Sequence, residues 1–439
     1  MQTALFICEL LASIVGFLFA YRVLLLIVGV FGTKRFAPAK KQHRYAILIA
    51  ARNEETVIGN LLDSISEQDY PSELLTVFVI ADNCTDKTAE IARQKGAVCY
   101  ERFDSEKRTK GYALEFLFEQ IERDYGIESF EGYFLFDADN LLRHDFISRM
   151  NDAFDSGEEV VVSYRNTKNL GDGWLSASYA LHWLRTCRLE HCGRSLFNIA
   201  GRIQGTGFVF SSKYVKDGWH YVSLTEDRAF SSDVVAKGGR IAYQHEAQFY
   251  DEQPNRIRVA CRQRLRWAKG NLQAFVETAG ALFCGIFRKG SVAQRVSCYD
   301  MLATNLPLSI ITVPIKLTES GLIVALCVMS GNLSQQWFSL LVQVLGILIF
   351  EHFGSIGMAV LIFLLERKRM KRLKWYQYVW YALTFPMFSL IGDVVMLIAV
   401  FAKVTWQPIP HNSDIRIEEL EGEHPQEERE LVGSQSKKS

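Results

Sequence analysis

The sequence predicts an α/β domain with a mostly parallel sheet, flanked on both sides by membrane-spanning helices. Two observations lead to this prediction. Short apolar runs alternate with amphipathic stretches from about residue 44 to 280, which is the pattern of strands and helices that follow one another along a chain. Nearly uncharged apolar stretches lie on either side of that region, at residues 4–32 and after about residue 300, and stretches of this length can cross a bilayer.

The composition agrees with a soluble domain joined to a membrane part. The 439 residues are 49% hydrophobic, which is more than one globular core of ordinary size needs. Lys and Arg together number 49, as do Asp and Glu, so the formal net charge is zero. A chain without excess positive charge has no electrostatic potential that would attract nucleic acid, and we exclude nucleic acid as a partner.

The nine cysteines predict neither a zinc site nor a redox pair, because no two of them are spaced as Cys-x-x-Cys. Cys187, His191 and Cys192 could be imagined as metal ligands. Three such residues without a second cluster are more often helix surface or core, so we interpret the cysteines as reduced packing residues.

The first apolar stretch predicts an N-terminal transmembrane helix within residues 1–33. Only Glu9 and Arg22 are charged in it, and it exceeds the about 20 residues needed to cross a bilayer. A cleaved signal peptide would be shorter and would begin with a basic region. Basic residues from Lys34 to Arg44 follow the stretch directly, which predicts that the next domain, residues 34–285, lies in the cytosol.

Strands and helices alternate within this cytosolic domain. The apolar runs are short, and the stretches between them repeat apolar residues at helical spacing. The predicted strands are 45–50, 75–81, 133–136 and 160–163, and the predicted helices are 57–65 and 108–123.

Residues 286–404 are predicted to hold interfacial and transmembrane helices. Apolar stretches lie near 302–330, 338–365 and 375–402, and charged residues interrupt them, so the number of membrane crossings stays open. The basic block at 367–374 is expected in the cytosol, since lysine and arginine near helix ends set orientation.

The last segment, residues 405–439, is polar and rich in glutamate. We expect it to be cytosolic and to be disordered beyond about residue 420. The stretch Lys403–Pro410 has two interpretations, a gate that lies against the mouth of a site or a plain linker with an interfacial tryptophan.

Acidic motifs follow the predicted strands at their carboxyl ends, where open α/β sheets bind ligands. Ala51–Glu55 follows the first strand and Asp82–Asp86 follows the second. Either motif alone could cap a helix, because Asn and Asp accept hydrogen bonds from free backbone N–H groups. In Asp137-Ala138-Asp139, alternate carboxylates on a turn can approach one divalent cation bound to a diphosphate.

Two more motifs lie on predicted helices. Thr225-Glu226-Asp227 opens a helix and would be unremarkable by itself. Gln263-Arg264-Leu265-Arg266-Trp267 lies in an arginine-rich stretch, and alone it could form a basic amphipathic helix on a membrane surface.

In this order the motifs resemble those of the family 2 glycosyltransferases with a GT-A fold, especially the processive membrane synthases of cellulose, hyaluronan and poly-N-acetylglucosamine. The pattern Asn-Glu, Asp, Asp-x-Asp, Thr-Glu-Asp and Gln-x-x-Arg-Trp spans residues 53–267, and the flanking membrane segments also match. One departure is that Ala50 and Ala51 precede Arg52 where related sequences often have proline, which affects a backbone bend and not the chemistry.

The resemblance implies a UDP-sugar donor and assigns residues to it. Glu54 and Asp82 would hold the uracil and ribose. Asp137 and Asp139 would bind the diphosphate, Asp139 through Mg²⁺ or Mn²⁺. Lys110 is a further candidate for contact with phosphate. The alternative for Lys110 is a solvated helix start.

The resemblance also assigns the acceptor side of the site. Asp227 would be the general base that takes the proton of the acceptor hydroxyl. Glu226, Gln263, Arg266 and Trp267 would line the acceptor and diphosphate end, with Arg266 near the diphosphate and Trp267 beneath the acceptor sugar. Gly205 and Gly207, in a shorter and less specific stretch, are explained equally well by a tight turn.

The expected function is processive polymerisation of sugar from a UDP-sugar into a β-linked polysaccharide that passes through the membrane. The membrane would be the inner membrane of a bacterium, and an accessory secretion subunit could take part. One alternative is transfer of a single sugar to a lipid acceptor, although such enzymes commonly lack Gln-x-x-Arg-Trp. Another is an inactive membrane scaffold or polymer channel, although all the acidic positions are intact. The sugar, its linkage and the oligomeric state stay open.

Overall fold

The computed structural model describes residues 2–329, 341, 352–370, 373–405, 411 and 413–421. Three helical stretches in these ranges are long and apolar enough to cross a membrane, namely Gln2–Phe31, Leu308–Leu326 and Trp375–Phe401, and His352–Glu366 is a shorter apolar helix. Parts of three predictions lie outside the described residues. They are most of the apolar stretch before residue 352, residues 406–410 of the proposed gate, and the tail from residue 422 onward.

The described residues form an eight-stranded sheet with the order β3-β2-β1-β4-β7-β6-β8-β5. The strands are β1 Tyr45–Ala51, β2 Leu75–Asp82, β3 Val98–Arg102, β4 Gly132–Asp137, β5 Leu141–Leu142, β6 Val160–Thr167, β7 Phe208–Ser211 and β8 Ile241–Asp251. β1 pairs in parallel with β2 and β4, β2 pairs in parallel with β3, and β6 pairs in parallel with β8. β7 runs antiparallel to β4 and β6, and β5 runs antiparallel to β8. The predicted mostly parallel sheet is confirmed.

The helices that cover the sheet and lead to the membrane part follow the same chain order. The helices up to β7 are α1 Gln2–Phe19, α2 Tyr21–Phe31, α3 Ile58–Ser66, α4 Thr88–Gln94, α5 Lys110–Asp124, α6 Phe146–Asp155, α7 Trp174–Arg185, a π-helix at Thr186–His191, and α8 Cys192–Leu196. The later ones are α9 Glu226–Ala236, α10 Ile257–Ile286, α11 Val292–Asn305, α12 Leu308–Met329, α13 His352–Glu366, α14 Trp375–Phe401 and α15 Ile417–Glu421.

The central strand β1 is buried on both faces, as a strand between two helical layers must be. Tyr45, Ile47 and Ile49 point into the core that contains α3 and α6. Ala46 and Leu48 point into the opposite core, which contains α5 and α7. The near-continuous apolar sequence of this strand therefore follows from its position in the sheet.

Several predicted elements differ in length from the observed ones. The N-terminal apolar stretch forms two consecutive helices, α1 and α2. The stretch 302–330 is divided between α11 and α12 near Pro307, whose nitrogen cannot donate a helical hydrogen bond. The helix that carries Gln263 continues to Ile286, because it packs along α9, α11 and α14. The domain boundaries at residues 33, 285 and 404 stay predictions.

Candidate active site

All ten residues assigned from the sequence line one cavity of about 310 Å³ at the carboxyl ends of the parallel strands. The topology explains this convergence, because neighbouring parallel strands end at the same edge of a sheet. The cavity residues that the sequence predicted are Glu54, Asp82, Lys110, Asp137, Asp139, Glu226, Asp227, Gln263, Arg266 and Trp267.

The loops after β1 and β2 turn sharply at asparagine residues. Asn53 and Asn83 have φ angles of 56° and 53°, a left-handed conformation that Asn adopts more readily than most residues. The Asn53 Oδ1 atom accepts a hydrogen bond from the Thr85 backbone N–H at 2.8 Å. This bond ties the two loops together, so Glu54 and Asp82 are held at neighbouring strand ends.

Two arginines hold the Asp82 carboxylate. Arg102 Nη1 donates to Asp82 Oδ1 at 2.7 Å, and Arg52 forms an ion pair with Asp82 Oδ2. Arg52 also donates through Nε to the Asp82 carbonyl oxygen at 2.9 Å. All three side chains are buried. Neither arginine was assigned a role in the sequence analysis.

Glu54 is paired with a residue from the C-terminal segment. The His411 Nδ1 atom lies 3.0 Å and 3.1 Å from the two Glu54 carboxylate oxygens. Burial alone would lower the pKa of His411, but the charges of Asp139 and Glu54 outweigh it and raise the pKa to about 10. A positively charged imidazole therefore occupies the end of the cavity that the sequence assigned to uracil.

Lys110 faces Asp137 within the cavity, where it forms an ion pair with Asp137 Oδ1. Its Nζ atom also donates to the Gly205 carbonyl oxygen at 3.0 Å and lies 3.8 Å from Glu226 Oε1. The lysine side chain is only 18% exposed. It therefore lies inside the site, where its charge is close to two carboxylates.

The residue after Lys110 explains why this helix can start so close to the cavity. A Cβ atom on Gly111 would lie 2.2 Å from the Tyr221 carbonyl oxygen. Backbone atoms cannot yield to such a contact, so glycine is required for the close approach of α5 and the loop before α9.

Asp139 is buried, and its carboxylate is held from the backbone. Oδ2 accepts a hydrogen bond from the Glu252 backbone N–H at 2.8 Å. Burial by itself would raise the pKa of Asp139, but the charges of His411 and Lys168 outweigh it and hold the pKa below its usual range. The carboxylate is therefore ionised at neutral pH.

Glu226 and Asp227 lie in the first turn of α9, where backbone N–H groups favour negative charge. Burial raises the pKa of Glu226 to about 7, although the Lys110 charge opposes it. Burial also raises the pKa of Asp227, although the neighbouring Arg228 charge opposes it. A carboxyl group with a raised pKa accepts a proton more readily near neutral pH.

Trp267 lines the cavity from α10 and packs against two other aromatic rings. Its ring centroid is 5.8 Å from that of Trp183 and 6.1 Å from that of Tyr179, in edge-to-face geometry. On the same helix, Arg266 Nε and Gln263 Oε1 are buried without a hydrogen-bond partner among the described residues. Both residues line the cavity, so a bound ligand could supply the missing partners.

A comparison with known families identifies the class of enzyme. Residues 43–270, which are more than half of the chain, match the family described as Glycosyltransferase like family 2. The chain belongs to this family. Residues 43–270 are a glycosyltransferase domain, as the sequence predicted.

Two curated members of the family illustrate the similarity. The chain is 24% identical over 260 residues to the probable glycosyltransferase YdaM of Bacillus subtilis, covering 53% of this chain and 56% of that protein. It is 24% identical over 283 residues to a beta-monoglucosyldiacylglycerol synthase of Nostoc sp., covering 61% of this chain and 56% of that protein. The glycosyltransferase thus spans about half the length of these relatives.

A solved structure supports the fold. The mannosyltransferase PcManGT from Pyrobaculum calidifontis, in complex with GDP-Man and Mn²⁺, matches 89% of this chain and 99% of its own with a TM-score of 0.54 and 17% identity. At this identity the likeness shows the fold alone. The predicted GT-A fold is confirmed, together with helices that are long and apolar enough to cross a membrane.

The carboxylates of the glycosyltransferase cavity fit a divalent cation that is shared with a diphosphate. Among the described residues, no group of three or more His, Cys, Asp or Glu side chains is arranged to hold a metal ion alone. Mg²⁺ is commonly bound by one or two carboxylates together with phosphate oxygens, so a third protein ligand is not needed. Asp137 and Asp139 supply the two carboxylates, and the Asp139 carboxylate is charged.

Further cavity residues of the glycosyltransferase were missed from the sequence. Arg165, on β6, forms an ion pair with Asp251 at the end of β8, and its guanidinium lies 3.8 Å from the centroid of the Trp183 ring. Arg202 and Arg228 also line the cavity. The position of Arg228 directly after Asp227 is a sequence signal that could have indicated it.

Proposed function

We propose that the protein is an inverting glycosyltransferase that transfers sugar from a UDP-sugar to the hydroxyl group of a growing β-linked polysaccharide. One observation carries this proposal. Asp227 lies in the same cavity as the carboxylates assigned to the donor and as Trp267, which is assigned to the acceptor sugar. A single carboxylate near the acceptor is all that a direct displacement needs.

In the proposed reaction, Asp227 removes the proton of the acceptor hydroxyl as its oxygen bonds to the anomeric carbon. The bond between that carbon and the diphosphate oxygen breaks, and UDP leaves with the electron pair. One displacement inverts the anomeric configuration, so an α-linked donor gives a β-linkage. Lys110 and Arg266, whose charges lie near Asp137, bind the diphosphate, and Mg²⁺ or Mn²⁺ held by Asp139 and Asp137 would neutralise its charge.

The aromatic lining and the membrane helices support processive synthesis. Trp267, which lines the cavity, offers an aromatic surface on which a sugar can lie while the chain advances. Helices that can cross a membrane lie on both sides of the catalytic domain. We propose that the domain faces the cytosol of a bacterium and that the product passes through the inner membrane, with membrane lipids around the helices and an accessory secretion subunit as a further partner.

Transfer of one sugar to a lipid acceptor is the second candidate. The name of the Nostoc relative describes synthesis of a glucosylated diacylglycerol, and a lipid hydroxyl could be deprotonated by the same base. The inactive scaffold considered from the sequence is not proposed, because the chain belongs to a family of transferases and its acidic motif residues line one cavity.

The deciding experiment measures UDP release by the detergent-purified protein with Mg²⁺ or Mn²⁺ across a panel of UDP-sugars, followed by sizing of the product. A long polymer from one donor is expected. A product with a single added sugar on a lipid would favour the second candidate. No turnover with any donor would contradict both.

A further inference from the structure

The cavity has two cationic ends, and the proposed function uses only one of them. At the donor end, Arg266 interacts electrostatically with Glu226, Asp137 and Asp227. At the other end, Arg228 interacts with Asp227 and with Glu190 instead. Asp227 therefore interacts with Arg266, which is assigned to the diphosphate, and with Arg228, which has no assigned ligand.

The second cationic end consists of Arg202 and Arg228, which both line the cavity. Arg202 makes only long polar contacts within the described residues, at 3.4 Å to Thr186 Oγ1 and 3.5 Å to Glu190 Oε2. Arg228 makes a single hydrogen bond in the same part of the chain, at 3.4 Å to Asn305 Oδ1. A guanidinium has five N–H donors, so most of the donors of both residues have no protein acceptor.

The charges around Arg202 leave an excess of guanidinium groups. Glu190 is the carboxylate that lies within 3.5 Å of three arginines, namely Arg185, Arg194 and Arg202. Arg194 is also neutralised by Asp300 at 2.7 Å. Two carboxylates thus face three guanidinium groups.

Arg228 adds a fourth guanidinium, and Asp227 adds a third carboxylate only while it is ionised. The excess of positive charge therefore grows when Asp227 accepts a proton. His182, which also lines the cavity, lies in the same positive electrostatic potential. Burial and the charges of Arg185 and Arg202 hold its pKa well below its usual value. Buried arginines with unmatched donors are the typical partners of carboxylate and phosphate groups.

Ion pairs connect Arg202 to the N-terminal apolar helix α2 through Glu190, Arg194 and Asp300. The Tyr21 hydroxyl, at the start of α2, donates to Asp300 Oδ1 at 2.6 Å. Arg188 donates to the carbonyl oxygens of Gly29 and Val30, both at 2.9 Å. Arg202 is therefore linked through charged side chains to a helix that is apolar enough to cross a membrane.

We propose that the acceptor carries an anionic group, which Arg202 and Arg228 bind while Asp227 deprotonates the neighbouring hydroxyl. This inference rests on the proposed function, because it takes Asp227 to be the base and the acceptor to be a saccharide. The anion itself is not the nucleophile, since a phosphate or carboxylate oxygen would need no base. The class of acceptor is therefore an acidic saccharide, with a carboxylate or phosphate on the sugar that receives the next unit.

The test compares binding of two oligosaccharides that differ only in the terminal unit, a uronic acid in one and the corresponding neutral hexose in the other. Binding to the full-length protein is measured in the presence of UDP. The acidic form is expected to bind at least about tenfold more tightly, the typical effect of hydrogen bonds to a charged group. Arg202→Gln is expected to remove this preference without changing the affinity for UDP.

Two controls make the result specific. Arg295→Gln removes an exposed arginine on α11 and is expected to leave the preference intact. If Arg202→Gln loses UDP binding and so does not fold, Arg202→Lys replaces it. Lysine keeps the positive charge but cannot form the bidentate pair of hydrogen bonds that arginine makes with a carboxylate or phosphate. The Arg202→Lys variant is therefore expected to retain only part of the preference for the acidic oligosaccharide.

Equal binding of the two oligosaccharides, or no binding of either, would overturn the proposal. A preference that is unchanged in Arg202→Gln would overturn the assigned residue. A parallel pair of lipids, phosphatidylglycerol and diacylglycerol, distinguishes the source of the anion, because an Arg202-dependent preference for phosphatidylglycerol alone assigns the charge to a lipid. Product sizing stays independent, so failure of polymerisation and failure of anion binding are separate results.

Discussion

Replacing the proposed base, Asp227→Asn, separates transfer from donor binding. Asparagine has nearly the same shape as aspartate, so the substitution removes a charge and a proton acceptor without creating a cavity. The cost to the fold is expected to be small. The substitution loses the favourable interaction of a carboxylate with a helix N-terminus, about 0.3–1 kcal/mol. It also removes the repulsion between Asp227 and Glu226, which helps to raise the pKa of Glu226 in the wild type.

The effect on the rate of transfer is expected to be much larger. A positioned general base typically contributes about 10²- to 10⁴-fold, which corresponds to about 3–5 kcal/mol in the activation free energy. UDP affinity should stay the same or rise slightly, because the lost charge is negative and the diphosphate is also negative. The change should therefore appear in kcat and not in the dissociation constant of UDP.

The assay measures the steady-state rate of UDP release and, separately, UDP binding by calorimetry. Asp217→Asn, which removes an exposed aspartate outside the cavity, is the matched control and should behave as the wild type. A kcat for Asp227→Asn within about threefold of the wild type would show that the base is another group, since that loss is below the typical contribution of a base.

Three further predictions follow from the same geometry. Folding raises the pKa of Glu226 from its ordinary value of 4.5 to about 7. The folded state is therefore favoured by the protonated side chain, and this contribution to stability is lost as the pH rises from 4.5 to about 7. Glu226→Gln should flatten the fall in Tm over that range. Trp267→Ala should shorten the polymer more than it slows each transfer, as measured by product sizing against UDP release, because it removes an aromatic surface from the acceptor side. His411→Gln should speed tryptic cleavage after Arg416 at pH 8, because the imidazole contact with Glu54 is charged below about pH 10; equal cleavage rates would contradict this.

The sequence was informative wherever function follows a strand end. Asp82, Asp137 and Asp139 come directly after apolar runs, and parallel pairing brings such positions to one edge of the sheet. The resemblance of ordered motifs then linked this edge to Asp227 and Trp267, which lie on helices far along the chain. These predictions needed only the direction of the strands and not their register.

Residues whose position depends on register or on long-range contacts could not be predicted. Arg102 reaches Asp82 because the two residues are direct partners in the pairing of β3 with β2, and sequence periodicity does not specify that register. His411 reaches Glu54 across 357 positions. Arg202 belongs to a loop without regular periodicity, and its unmatched donors become apparent only when the surrounding charges are counted.

The structure also changes the interpretation of the arginine-rich helix α10. The sequence of α10 alone was also compatible with a basic face that lies on a membrane surface. In the structure, however, its arginines lie on two different sides of the helix. Arg264 Nη1 donates to the Phe388 carbonyl oxygen of α14 at 2.6 Å, and Lys269 Nζ donates to the Ala399 carbonyl oxygen of the same helix at 3.1 Å. Residues two positions apart project about 200° apart around a helix, so Arg266 faces the cavity instead. The helix that carries the acceptor-side residues is therefore fixed directly to α14, which is long and apolar enough to cross a membrane, so the position of Arg266 and Trp267 depends on that packing.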